Sequence, residues 1–593
     1  MKLMLKYLYK YKIQIMLSFA GALSFALVEL GIPTVMSLII DNGIIKNDTR
    51  YVINALIVMI GISIFGGIGS MLLGYCSSKV STGVAMDIRN DIFEKSQEFS
   101  HVEYDKFGVS TMIVRTTNDV YQLQLFTNVL LRTAMVTPVM FLVSIIMTIV
   151  IDIQLSFVIM CTIPLIILGV YVIAIVTGKI SERQQLSLDK LNRILRENIT
   201  GIRVIRAFRK DDYESKRFHE TNQDYTRLSK KLFMIMSATQ PSFLLILDAA
   251  VAIVLYISSV KVGYQGIQIG QIVAFLEYLF HAMFSIMLFS MVFVMYPKAA
   301  ISAKRIDEIF KEEPKIVDSF EEKNIFEKTY RNNDNDSNKK TSENENIIEF
   351  ENVCFSYFGS DKEILKNISF TVKKGERVAI IGSTGSGKTS IVNLIPRLYD
   401  VTRGSVKING KDVREYNLKK LRQKISFVPQ KSRLFSGTIR ENLKFGNKNA
   451  TDKELEYFAK ASQAYDFINR KEENFDFKLS EGGTNLSGGQ KQRISIARAL
   501  AKKSEIYIFD DSFSALDYKT DAVIRKRLKE ELKDCAVLTV AQRISSIKDS
   551  DKIIVIESGE IKAEGKHKDL LQKSSLYREI VTSQMREEEF EIE

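Results

Sequence analysis

The 593-residue sequence predicts a multidomain chain, an all-α six-helix transmembrane domain followed by an α/β phosphate-loop domain. Three observations carry this expectation. The first half holds six apolar stretches of membrane-spanning length, the segment from Arg331 to Asn346 is almost wholly polar, and the second half holds G-x-x-x-x-G-K-T directly after an apolar strand. Length alone requires at least two cores. A mean hydropathy of zero averages an apolar half with a polar one and conceals the membrane region.

About twenty apolar residues in a helix cross the hydrocarbon of a bilayer. Stretches of that kind run roughly from Ile13 to Ile40, Tyr51 to Tyr75, Phe126 to Ile151, Ile153 to Val176, Thr239 to Val260 and Ile272 to Tyr296. Lys2, Lys6, Lys10 and Lys12 precede the first stretch as they would in a signal peptide. The apolar run continues past signal length without a convincing small-residue cleavage site, so it reads as a retained first span.

The links inside the three successive pairs of spans are short and poor in cations, with Lys46 and Arg50 in the first, none in the second and Lys261 in the third. The segments after spans two and four are long and rich in Lys and Arg. The positive-inside bias therefore puts the N-terminus, both long loops and everything after span six in the cytoplasm of a multi-pass cell-membrane protein. The net charge of +12 is concentrated at these flanks, notably from Lys179 to Lys231, which assigns it to the membrane surface and not to nucleic acid.

Both long loops carry apolar residues at helical spacing and read as stiff extensions of the spans, advancing about 1.5 Å per residue. After span six, "AAISAKRIDEIFKEEP" reads as a helix stopping near Pro314, and the polar stretch beyond it reads as a flexible linker. The expected domains are residues 1–312 in the membrane unit, 313–346 in the linker and 347–593 in the phosphate-loop unit. Cys76, Cys161, Cys354 and Cys535 have no metal-ligand spacing and read as small core residues.

"GSTGSGKT", Gly382 to Thr389, follows the strand "RVAII" and precedes the helical run "SIVNLIPRLYD". That context is what a nucleotide phosphate site needs. Gly382, Ser383, Thr384, Gly385, Ser386, Gly387 and Ser390 form or flank a loop whose N–H groups converge on phosphate oxygens at a helix N-terminus. Lys388 is placed to reach the β and γ phosphates of ATP, and the Thr389 hydroxyl to reach Mg²⁺. A second apolar strand, "IYIF", ends at Asp510, whose carboxylate is placed to hold the same metal.

Further motifs are more specific. "LSGGQKQRISIARAL" lies just before the Asp510 strand, and "VCFSY", "FVPQ" and "SALD" fall around it in order. Together with "FGVSTMIVRTTNDV", "ENITGIRVIRAF" and "AISAKRI" in the membrane half, this pattern closely resembles the ABC transporters, in the form of a six-span exporter half-transporter fused to its ATPase domain. The resemblance covers nearly the whole chain. It implies that Tyr357 stacks on adenine, that Gln430 joins Thr389 and Asp510 near the metal, and that Asp517 lies in the loop after the second acid. It also implies that Leu486, Ser487, Gly488, Gly489 and Gln490 close over the nucleotide held by a second ABC half-transporter.

Two positions depart from the family. The residue after the second acid is usually Glu, yet here it is Asp511, and Gln542 in "AQR" stands where a histidine belongs. A carboxylate one methylene short sits on the order of 1 Å from the productive place, a displacement that costs about 100-fold in rate. Glutamine hydrogen-bonds but does not accept a proton at neutral pH. The expectation is a chain whose own site binds ATP and hydrolyses it poorly, resembling the degenerate-site subunit of heterodimeric bacterial multidrug exporters. A homodimer working slowly is the alternative.

The resemblance further implies that helices at the tips of the two long loops, near Tyr104 to Met112 and Arg209 to Glu214, transmit closure of the ATPase domains to the spans. Glu29, Asp248, Glu277 and His281 lie inside predicted spans, where ionisable groups mark candidate substrate paths. Three acids without a lysine favour a small cationic, amphiphilic or drug-like cargo. Lipid, peptide and porphyrin cargoes, and an ATP-gated membrane regulator without transport, remain the other readings.

Overall fold

A computed structural model describes residues 1–264, 266–317, 346–360 and 362–584. Most of the expected linker, 318–345, lies outside the described residues. The chain divides into two compact units, Met1–Glu98 with Phe107–Glu313, and Phe99–Lys106 with Pro314–Glu593.

The first unit contains six helices long and apolar enough to cross a membrane: Lys2–Ile44, Thr49–Glu98, Val109–Ile151, Ile153–Ala207, Asp211–Gly263 and Ile269–Lys311. Each extends beyond its apolar stretch, as the helical spacing of the long loops predicts. Spans one and two approach closely because the contact is made by small residues. A Cβ on Gly69 would stand 2.4 Å from Ser24 Oγ, and one on Gly21 would stand 2.7 Å from the Gly69 carbonyl. Gly69→Val is therefore expected to cost about 1–3 kcal/mol through overpacking, read as a lowered thermal unfolding midpoint of the purified protein.

Charged groups at the span ends are held. Asp152 caps span four, accepting from the N–H groups of Gln154 at 2.8 Å and Leu155 at 2.9 Å. It also accepts from Lys261 Nζ at 2.5 Å. Lys10 Nζ at 2.9 Å and Tyr11 Oη at 3.1 Å both donate to Asp87, tying the start of span one to the extension of span two.

Three expectations about this half need correction. Cys161 is exposed on its helix, unlike the buried Cys76 and Cys354, because it shares the helix face of Phe157, Leu165 and Leu168, which are exposed too. The first loop's short helix is His101–Phe107, not Tyr104 to Met112; Gly108, with φ at +74°, ends it. The second loop has no tip helix of its own. Spans four and five run to Ala207 and from Asp211, and the turn between them uses Arg209 at φ +52°.

The second unit is built on a six-stranded sheet in the order β12-β11-β3-β10-β9-β6. These strands are β3 (Arg377–Gly382), β6 (Ile425–Val428), β9 (Ile506–Asp510), β10 (Ala536–Val540), β11 (Lys552–Glu557) and β12 (Glu560–Gly565). All neighbours are parallel except β11 and β12. Parallel strands buried on both faces need continuous apolar runs, and Ile506 to Asp510 is buried at every position. A second, antiparallel sheet of β1 (Asn346–Phe355), β2 (Leu365–Lys373), β4 (Arg403–Ile408) and β5 (Lys411–Asp412), in the order β2-β1-β4-β5, covers one side. Between the sheets lies a core that includes Phe350, Ile380, Ile391 and Ile508.

Phe99–Lys106 packs within this unit. His101 meets the Tyr399 ring edge-on with 5.7 Å between centroids, Tyr399 Oη donates to Asp105 at 3.3 Å, and the N–H of Lys315 donates to Glu103 at 3.1 Å.

Candidate nucleotide site

β10 lies between β3 and β9, and Val540 pairs level with both Ile380 and Asp510. The ends of the two diagnostic strands are thus brought side by side, two strand spacings apart, or roughly 10 Å. This is the carboxyl edge of the parallel sheet, where α/β folds bind ligands.

The loop Gly382 to Gly387 closes over this edge. A Cβ on Gly382 would stand 2.0 Å from the Ile556 carbonyl, so no other residue fits. Gly385 and Gly387 have φ at +83° and +100°, values that favour glycine. Ser383, Thr384 and Gly385 are exposed at the loop's rim, while Ser386 and Ser390 are buried. Lys388 stands at the start of the helix Lys388–Leu394, and its Nζ donates to the carbonyls of Gly382 at 2.8 Å and Ser383 at 2.7 Å. The ammonium thus occupies the mouth of the loop. Burial pushes it toward its neutral form, and Asp511 and Asp510 oppose that shift.

Thr389 Oγ1 donates to Asp510 Oδ1 at 3.2 Å. Burial pushes the Asp510 carboxyl up to about 6, with Asp511 adding to the shift and the Thr389 bond opposing it. Burial also raises Asp511. Adjacent buried carboxylates raised by burial fit a hard dication. Among the described residues no group of three or more His, Cys, Asp or Glu side chains is placed to hold a metal. Mg²⁺ takes one or two protein oxygens and completes its shell with water and phosphate, and Thr389 and Asp510 could supply such oxygens.

Asp511 is held from two sides. Gln430 Nε2 at 3.2 Å and Gln542 Nε2 at 3.1 Å both donate to its Oδ2. Its backbone is left-handed, with φ at +45°, a conformation Asp tolerates better than most residues. The structure therefore gathers Asp511, Gln542 and Gln430 at one oxygen, and ties Gln430 to this acid where a metal role was expected.

Tyr357 is half-buried, its Oη 3.0 Å from Ser390 Oγ. Its ring meets Tyr399 edge-on at 5.3 Å between centroids. Ser487 caps the helix Gly488–Ala501 in a reciprocal box with Gln490, at 3.3 and 3.0 Å. Ser487 and Gly488 are exposed, whereas Leu486 is buried in the helical core and is a packing residue. Asp517 caps Tyr518–Glu531 through the Thr520 N–H at 2.9 Å.

Arg543 is a residue the motifs did not single out. It donates to the carbonyls of Ser514 at 3.0 Å and Leu516 at 3.4 Å, fixing the loop that leads from Asp511 to Asp517. Its only sequence signal is that it directly follows Gln542.

In the membrane unit, His281 Nε2 lies 3.9 Å from Glu29 Oε2. Glu277 and Asp248 are exposed on their helices. Of the four candidates, only Glu29 and His281 are thus shown to meet.

Residues 15–287 match the ABC transporter transmembrane region and 365–514 match the ABC transporter ATPase family. An uncharacterized ABC transporter ATP-binding protein of Bacillus subtilis, YfiB, is 34% identical over 94% of both chains. The chain belongs to the ABC transporter family. A second ABC transporter relative, an uncharacterized ATP-binding protein of Mycobacterium bovis, is 33% identical over 94% of both chains. The ATP-dependent lipid A-core flippase of Syntrophus aciditrophicus is 30% identical over 96% of this chain and 91% of its own. The protein is thus a multi-pass membrane half-transporter of the ABC exporter architecture, with a cytoplasmic ATPase domain that couples ATP hydrolysis to transport. Half-transporters of this family work as dimers.

Proposed function

We propose that this ABC transporter is the slow-site subunit of a heterodimeric exporter. The observation that carries the reading is the Asp511 carboxylate, one methylene short and held at one oxygen by the amides of Gln430 and Gln542. Two neutral amide donors share that oxygen, and neither of them accepts a proton at neutral pH.

Bound ATP supplies the phosphoanhydride to be split, and Mg²⁺, which Thr389 and Asp510 would hold, would stabilise the negative charge on its phosphates. Lys388 exchanges its loop carbonyls for phosphate oxygens, the Gly382 to Gly387 amides cradle them, and Thr389 and Asp510 hold the metal. Tyr357 offers its face to the adenine. The partner contributes the Glu and His that this chain lacks, and Ser487 to Gln490 completes the partner's site. ATP closure favours one access state only by its differential affinity for the two, so a site that keeps ATP intact acts as a long-lived clamp.

The cargo in this reading is a small amphiphilic or drug-like cation, drawn by Glu29. Glu29→Gln is expected to lower transport of a lipophilic cation severalfold while leaving ATPase activity unchanged, measured by uptake into inverted vesicles. The names of the flippase relatives favour a second reading, a homodimer that moves lipid. Purifying the chain without a partner separates the two. The heterodimer reading expects near-background phosphate release, and robust turnover by the self-paired chain would support the homodimer.

A further inference from the structure

The ATPase unit has a second cavity, of about 270 Å³, between the helix Tyr518–Glu531, the face of β9 and β10, and the turn from Ser546 to Ser550. None of the residues assigned to the nucleotide lines it. Its floor is apolar, built by Phe509, Phe513, Leu528 and Leu532, all nearly inaccessible to solvent. Its rim is cationic: Arg377, Arg525, Lys526 and Lys529 stand against a single lining carboxylate, Asp549.

The two arginines of the rim are paired: Arg377 Nε lies 3.5 Å from Asp551 Oδ2, and Arg525 faces Asp521. Arg525 Nε donates to Asp521 at 3.0 Å, and the other Asp521 oxygen accepts from Ser546 Oγ at 3.1 Å, so this buried acid is satisfied within the wall. The Arg525 head approaches Asp549 only at 3.8 Å, beyond hydrogen-bond distance, and the Asp549 side chain is 71% exposed. Lys526 and Lys529 are exposed on the same helix. An apolar floor beneath a rim that carries these two exposed lysines selects a ligand with a hydrophobic body and an anionic end. The volume falls just under the usual drug-sized range of roughly 300–1,000 Å³ and equals about nine waters at about 30 Å³ each. That limits the body to about one ring.

We propose that this cavity binds a small aromatic or short-chain acid, its apolar body on Phe509, Phe513, Leu528 and Leu532 and its anionic group at Lys526 and Lys529. The site lies behind the strand that carries Asp510, on residues that flank both acids, but its occupant needs none of the nucleotide-binding groups.

The test uses the full chain in lipid nanodiscs at 0.15 M salt, titrated with 4-(trifluoromethyl)benzoate and, separately, with its neutral benzamide analogue. Binding is followed by ¹⁹F NMR with empty nanodiscs subtracted. The expected result is saturable binding of the acid at least tenfold tighter than the amide. In Lys526→Glu combined with Lys529→Glu the acid loses that advantage, while ATP affinity is retained and reports that the domain is folded. Equal binding of acid and amide, or acid binding unchanged in the double variant, would overturn the proposal.

Discussion

Replacing Asp511 with Glu together with Gln542 with His is expected to raise ATP turnover at this chain's own phosphate-loop site by roughly 100-fold. Asp511 now reaches only as far as the two amides that share its Oδ2. The added methylene advances the carboxylate by about 1 Å, the scale of displacement on which near-attack geometry is gained or lost. A histidine at 542 replaces a donor-only contact with a ring that accepts or donates a proton near neutral pH. The two changes act as one unit, so each alone should recover much less than half of the combined gain on a logarithmic scale. Phosphate release from the purified variant, against the parent chain at saturating Mg-ATP, measures it. An unchanged rate in the double variant would place the defect elsewhere.

Lys388→Ala is expected to weaken ATP binding at the same site by about 10- to 100-fold. Hydrogen bonds to charged groups contribute about 1.5–3 kcal/mol, and every 1.4 kcal/mol is about tenfold in affinity. The Lys388 ammonium is the cation at the loop mouth, donating to the Gly382 and Ser383 carbonyls at 2.8 and 2.7 Å and to Ser386 Oγ at 3.4 Å. Titration with a fluorescent ATP analogue reads the loss. Transport by the complete dimer should also fall, because the clamp is lost. Transport at the parent rate, with binding abolished, would remove the clamp from the account.

Much of this was legible in the sequence, for identifiable physical reasons. The spans announce themselves because lipid demands about twenty apolar residues in a row, and all six helices cover the expected stretches. The phosphate loop is equally local: its glycines, lysine and threonine are consecutive, and positive φ at Gly385 and Gly387 is a requirement glycine meets without strain. The insertion of β10 between β3 and β9 was not legible, because parallel pairing over long sequence separation leaves no local mark. That insertion puts Thr389 against Asp510. Nor did spacing reveal that Gln430 and Gln542, 112 residues apart by their numbers, converge on one oxygen of Asp511. Cys161 was misplaced because an apolar neighbourhood in a membrane helix does not distinguish packing from exposure to lipid.

In the proposed heterodimer this chain's phosphate loop keeps ATP intact while the partner's site turns it over. Occluding ATP labelled in its adenine ring in the assembled dimer, then separating the subunits after photocrosslinking, tests it most directly. The expected result is ATP on this chain and ADP on its partner. ADP in equal amounts on both would contradict it.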